Sequence, residues 1–237
     1  MTEDLEAYPI VVLHGWALNS HTYARLKRQL SKLYPRVLIP DLPGFGSKKK
    51  LNKPLYLRDY VDYVHKLLSQ SKINKTTLVG HSFGGRIALK YAEKYPHTLE
   101  KLVLTGVPVY KENSSLKRAL LLLLAKAGKK IFAFFALTKF TRFARIILYK
   151  LVGSADYLKA DPVLRTTLQN ILAEDLSLVA KKVNTPTLLV WGDKDLHTPL
   201  WIAVKAEKIM PNAKLMVVSD ADHGLIYKDP DKFIANL

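Results

Sequence analysis

A chain of 237 residues can hold one sizeable core and lies within the range of a single α/β domain. Hydrophobic residues make up 49% of it, which argues against disorder, and the absence of cysteine excludes disulfides, thiolate metal sites and a cysteine nucleophile. The formal net charge of +17 favours acidic partners: nucleic acid, anionic lipid or an acidic protein.

The N-terminal "MTEDLEAYPIVVLHG" carries acidic residues where a signal peptide carries basic ones, and it lacks a small-residue cleavage site. No apolar run approaches the roughly 18 residues needed to span a bilayer. A cytoplasmic protein without a transmembrane segment is expected. Within this first stretch "PIVVLHG" reads as a strand, and "HTYARLKRQLSKLY" follows as a helix. "RVLIPDLPGFG" is a strand with a turn-rich exit, and "YLRDYVDYVHKLLSQS" is a second helix. The next stretch, "TTLVGHSFGGRIALKYAEKYP", joins a short buried strand to a helix that Pro96 ends. "LEKLVLTGVP", "NTPTLLVWGDKD" and "NAKLMVVSDADHG" supply three more strands. Such alternation predicts a mostly parallel sheet with helices on both faces, its functional loops gathered at the carboxyl ends of the strands.

The alternation breaks over residues 110–182, which read as helical without intervening strands. The predicted organisation is therefore a core of residues 1–109 and 183–237, with 110–182 as a helical insertion. From Lys111 to Lys150 the insertion carries ten basic residues against one acid, Glu112. Its apolar runs "ALLLLLA" and "IFAFFAL" lie between these basic clusters, as in a pair of amphipathic helices.

Chemistry concentrates at the strand ends. Ser82 stands where a strand turns at once into a helix, with Gly80 and Gly84 two residues to either side. The glycines let neighbouring backbone approach, and the serine is held under strain at the tip; G-x-S-x-G in this setting is the nucleophile elbow. A serine hydroxyl needs a base to take its proton, and the base needs a carboxylate to fix its tautomer. Asp195 and His223 each follow a later strand, giving the chain order Ser, Asp, His. The amide of Phe83, next after the serine, is one donor to the oxyanion. No His/Asp/Glu cluster has metal-ligand spacing, so no metal is expected. No cofactor is expected either.

"HGW" at 14–16, "DLPGFG" at 41–46, "GHSFGG" at 80–85, "WGDKDLHTP" at 191–199 and "DHG" at 222–224 together resemble the α/β-hydrolase superfamily over nearly the whole chain. "LHGWALN" beside "DLPGFG" looks most like the carboxylesterase branch that includes the pimeloyl-carrier-protein methyl esterase. The resemblance implies an α/β-hydrolase fold whose usual first strands are largely missing, with the insertion as a lid. It implies Trp16 as the second oxyanion donor, and it selects Asp195 over Asp193, because relatives place the acid three residues beyond the glycine of this loop. His14 and His81 read as loop-orienting residues, Asp41 as a tie within its own loop, and His197 and Asp222 as neighbours of the triad.

The resemblance thus points to a serine hydrolase of carboxylic esters, acting through an acyl-enzyme on a small-molecule ester with an apolar acyl group. The same triad serves thioesterases, lactonases and carbon–carbon bond hydrolases, and a receptor-like protein of the same fold is a further alternative. Serine at the elbow argues against the epoxide hydrolase and haloalkane dehalogenase relatives, which use aspartate there. The basic insertion suits an acidic carrier protein or an anionic lipid surface. No nucleic-acid module is recognisable, so nucleic acid is not expected as a partner.

Overall fold

The computed structural model describes residues 8–111 and 161–237. Most of the predicted insertion, with its basic cluster and its proposed lid, lies outside the described residues. Six parallel strands form one sheet: β1 (Ile10–Leu13), β2 (Val37–Leu38), β3 (Thr76–His81), β4 (Leu99–Thr105), β5 (Thr187–Gly192) and β6 (Ala213–Val218). Their order across the sheet is β2-β1-β3-β4-β5-β6. The register sets Leu13 beside Gly80, Gly80 beside Leu104 and Gly192 beside Val218, so the carboxyl ends of the strands fall along one edge.

The four inner strands read as nearly unbroken apolar runs because both faces of a parallel sheet are covered. Successive side chains alternate between the faces. Ile10, Val12, Val79, Val103, Leu188 and Val190 join one buried cluster with Tyr23 and with Leu26 and Leu30 of α1 (Ala24–Leu30). Val11, Leu13, Leu78 and Leu104 have the opposite parity and are buried as well. α2 (Leu57–Gln70) packs on α3 (Phe83–Lys94), and α3 packs on β1, β3 and β4. At its start, α2 is capped by Asp59 Oδ2, which accepts from the Tyr56 amide at 2.7 Å. β2 is shorter than its sequence suggests. Pro40 has no N–H to add to the ladder, which stops after Leu38 at the sheet edge.

α4 (Pro162–Leu172) and the short α5 (Ser177–Ala180) follow the undescribed segment, and α6 (Leu200–Ile209) runs between β5 and β6. The described residues up to Lys111 and from Thr166 onward form one compact unit, whereas 161–165 fall in a second. Residues 166–182, which the sequence pattern groups with the insertion, are thus built into the core unit. Arg86 on α3 holds them there. Its buried guanidinium donates to the carbonyls of Pro108, Ile171 and Glu174. Beside it the Leu176 amide donates to Val109 O at 2.9 Å, and Asp175 Oδ2 accepts from the Lys111 amide at 2.9 Å.

Candidate active site

Ser82 links β3 to α3 with φ 52° and ψ −112°. A non-glycine residue in that region stores of order 1–3 kcal/mol, so the surrounding contacts must hold it there. The Ser82 amide donates to Thr105 O at 2.9 Å, and the Gly84 amide donates to His14 O at 3.1 Å. A Cβ on Gly84 would lie 2.2 Å from Leu13 O, so only glycine lets α3 start this close to the end of β1. Ser82 is partly exposed, and its side chain makes no capping hydrogen bond to α3.

Asp195 and His223 meet from two neighbouring loops. Asp195 follows β5, and His223 follows β6. His223 Nδ1 lies 2.8 Å from Asp195 Oδ2, which also accepts from Thr198 Oγ1 at 2.7 Å. Asp195 Oδ1 accepts from the amides of His197 at 2.9 Å and Thr198 at 2.8 Å. Burial alone pushes the Asp195 carboxyl up. Donors from His223 and Thr198 outweigh it and leave the group below the usual carboxylate range. A carboxylate surrounded by donors requires the proton of a neutral His223 to sit on Nδ1, which leaves Nε2 bare. Asp193 is exposed and makes no such contact with His223.

The His223 ring lies over Gly106, the residue after the Thr105 carbonyl that anchors Ser82. A Cβ on Gly106, whose φ is 61°, would come within 2.8 Å of His223 Cε1. The Ser82 turn and the Asp195–His223 pair therefore both contact the backbone turn at the end of β4.

Trp16 and Phe83 flank the elbow, and neither amide has an acceptor among the described residues. Their rings pack edge to face at 5.3 Å, and Phe45 joins them, 4.8 Å from Trp16. Two buried polar ties hold this loop. His14 Nδ1 donates to Gly15 O at 2.8 Å while its Nε2 accepts from the Leu42 amide at 2.9 Å. Burial holds the His14 imidazole below its usual range, consistent with a neutral ring. Asp41 reaches beyond its own loop. It accepts from the Ser20 amide at 2.7 Å as well as from the Ser47 amide and hydroxyl at 2.8 Å. Asp222 caps the turn after it, accepting from the Gly224 amide at 2.8 Å and pairing with Lys228.

Two contributors were not singled out by sequence reasoning. Thr198 sits inside the quoted "WGDKDLHTP", and its position three residues past Asp195 is the available signal. Tyr23 reads as an ordinary core residue of the first helical stretch. Its hydroxyl contacts His81 Nδ1 at 2.6 Å and accepts from the Gly15 amide at 3.1 Å. Among the described residues, no group of three or more histidine or acidic side chains could hold a metal ion, and no helix is long and apolar enough to cross a membrane.

Residues 8–146 match the family described as alpha/beta hydrolase fold, and residues 166–235 match one described as TAP-like protein. The chain is 27% identical to Lipase 3 of Moraxella sp. (strain TA144), over 93% of this chain and 73% of that protein. It is also 27% identical to the pimeloyl-[acyl-carrier protein] methyl ester esterase of Nitrosospira multiformis, over 98% of this chain and 94% of that protein. A solved structure of a thermophilic esterase from Thermogutta terrifontis, bound to malate, superposes with a TM-score of 0.72 at 21% identity, covering 96% of this chain and 87% of that one.

Proposed function

The chain belongs to the alpha/beta hydrolase fold family, and from that premise we propose that Ser82, His223 and Asp195 form a triad that cleaves carboxylic esters through an acyl-enzyme. Ester hydrolysis in general is supported by the lipase and methyl esterase relatives, which mark the chain as a carboxylesterase-like hydrolase. The observation that carries the triad is the hydrogen bond from the partly exposed His223 to the buried Asp195, set at the backbone turn that anchors the strained Ser82.

In this reading Ser82 Oγ attacks the acyl carbon while His223 Nε2 takes its proton. The Trp16 and Phe83 amides, which have no acceptor among the described residues, donate to the tetrahedral oxyanion. Collapse breaks the ester C–O bond, and the proton on His223 passes to the departing alcohol. Water then attacks the acyl-enzyme, His223 takes its proton and returns it to Ser82 Oγ, and the carboxylic acid leaves. Asp195 stabilises the imidazolium in both halves without itself taking a proton.

The test is turnover of p-nitrophenyl esters from acetate to palmitate, together with labelling by a fluorophosphonate probe. Wild type is expected to turn over and to be labelled at Ser82. Ser82→Ala is expected to stay folded, lose turnover and escape the label. Label on another residue, or an alanine variant that keeps most of its activity, sinks the triad.

A further inference from the structure

His81, the last residue of β3, is almost fully buried directly before Ser82, and the triad does not use it. Its ring sits between Tyr23, Tyr227 and His223, with centroids at 6.1, 5.8 and 5.0 Å. His81 Nε2 lies 2.9 Å from the backbone carbonyl of His223, and Nδ1 lies 2.6 Å from the Tyr23 hydroxyl. That hydroxyl lies 3.1 Å from the Gly15 amide.

The ends of this series fix its two outer protons. A backbone amide can only donate, and a backbone carbonyl can only accept. The Gly15 N–H therefore donates to Tyr23, and His81 Nε2–H donates to His223 O; burial of the ring disfavours a second proton on it, so Nδ1 is bare and accepts from the Tyr23 hydroxyl. A neutral His81 with its proton on Nε2 satisfies all three contacts and keeps the Tyr23 O–H paired, whereas an imidazolium would make Tyr23 accept twice and leave its own O–H without the His81 acceptor. Resting on the ester-hydrolase reading above, we infer that Tyr23 and His81 are positioning residues: one buried relay pins the Trp16 loop, the Ser82 strand and the His223 loop in register.

Burial, and after it the neighbouring His223, push the His81 imidazole down to about 3, and burial holds the Tyr23 phenol well above its usual range. Both groups therefore keep the protons the relay needs. Neutrality has a second use. A charge on His81 would oppose the imidazolium that forms on His223, 5.0 Å away. A residue with no contact to substrate can thus set the rate, because misplacing reacting groups by about 1 Å costs on the order of a hundredfold.

Two measurements on the full chain decide this. Ring-nitrogen NMR of His81, assigned by its loss in His81→Gln, should show a neutral imidazole protonated on Nε2 between pH 5 and 8. A proton on Nδ1, or an imidazolium, overturns the relay. In kinetics with p-nitrophenyl butyrate, Tyr23→Phe and His81→Phe should each lower kcat by roughly ten- to a hundredfold with KM unchanged. The double variant should lose little more than either single one, as for residues acting as a unit. His81→Gln, which keeps a donor and an acceptor on one amide, should recover most of the kcat lost in His81→Phe. Equal losses in the glutamine and phenylalanine variants, a kcat deficit that merely tracks the folded fraction, or unchanged kcat in Tyr23→Phe overturns the inference. A wild type that cleaves no ester at any chain length instead sinks the hydrolase reading, and the catalytic role of the relay with it.

Discussion

Asp193 and Asp195 share one loop and differ in everything that matters to a base. Asp195 is buried with four donors converging on its two oxygens, whereas Asp193 is exposed. Replacing Asp195 by Asn sets an NH2 group among those donors. If it faces His223, the ring must accept on Nδ1 and carry its proton on Nε2, the nitrogen that takes the Ser82 proton in the proposed triad. A wrong tautomer of this kind costs about 10⁴ in kcat in a triad. Asp195→Asn should therefore fall by that order in p-nitrophenyl ester turnover, with Asp193→Asn within a few-fold of wild type. The opposite ranking in parallel assays would assign the acid to Asp193.

Among the elements, α3 does more than present Ser82. Arg86 ties it to carbonyls 22, 85 and 88 positions away in sequence. Burial pushes its guanidinium down to about 10, with Glu174 and Asp175 opposing, so it is still charged at neutral pH. Arg86→Met keeps the packing stem and removes a donor from three carbonyls, of which that of Ile171 keeps only a long contact to the Glu174 amide at 3.4 Å. Each buried acceptor left unpaired costs about 1–3 kcal/mol, partly offset by no longer burying a charge. A loss of about 2–4 kcal/mol is expected, seen as a lower urea midpoint with an unchanged m-value; an unchanged midpoint would show that the clip contributes nothing. This contact also marks where the sequence stops being legible. The apolar runs of β3, β4 and β5 and the glycine spacing around Ser82 are local signals, readable from periodicity and turn chemistry. The burial of Arg86 is not local, because a charged residue inside a helical pattern carries no mark of its partners. Residues 166–182 show the same limit. Their helical pattern is readable, but whether they pack with an insertion or with the core depends on contacts to Arg86 and Val109 that spacing cannot encode. Tyr23 joins the candidate site for an equally nonlocal reason, its partner being 58 positions away.

At the scale of the whole molecule, the neutral buried histidines link the site to stability. His14 and His81 are both held below the ordinary imidazole value of about 6.5, chiefly by burial. An unfolded chain therefore takes up protons below about pH 6.5 that the folded chain refuses, and stability falls as pH falls. Their contribution is complete above pH 6.5. For His81 the loss continues until the pH reaches its folded value of about 3. Each such histidine accounts for at most about 1.4 kcal/mol per pH unit within its window. Asp195 and Asp41 are held below the usual carboxylate range, Asp41 by donors from Ser47 and Ser20 that overcome its burial. Their contribution is present above about pH 4 and is lost only as pH falls further, through their lower folded values. The positive charge of the chain, +17 at pH 7, grows as its acids are protonated and adds self-repulsion in the same direction. Urea unfolding should thus give a plateau above about pH 6.5, a first decline from there to about pH 4 and a steeper one below. His14→Gln and His81→Gln should each flatten the first decline and leave the second in place. A wild-type midpoint constant from pH 8 to 4.5 would show that both imidazoles titrate alike in the folded and unfolded chain, and that neither is held neutral by the fold.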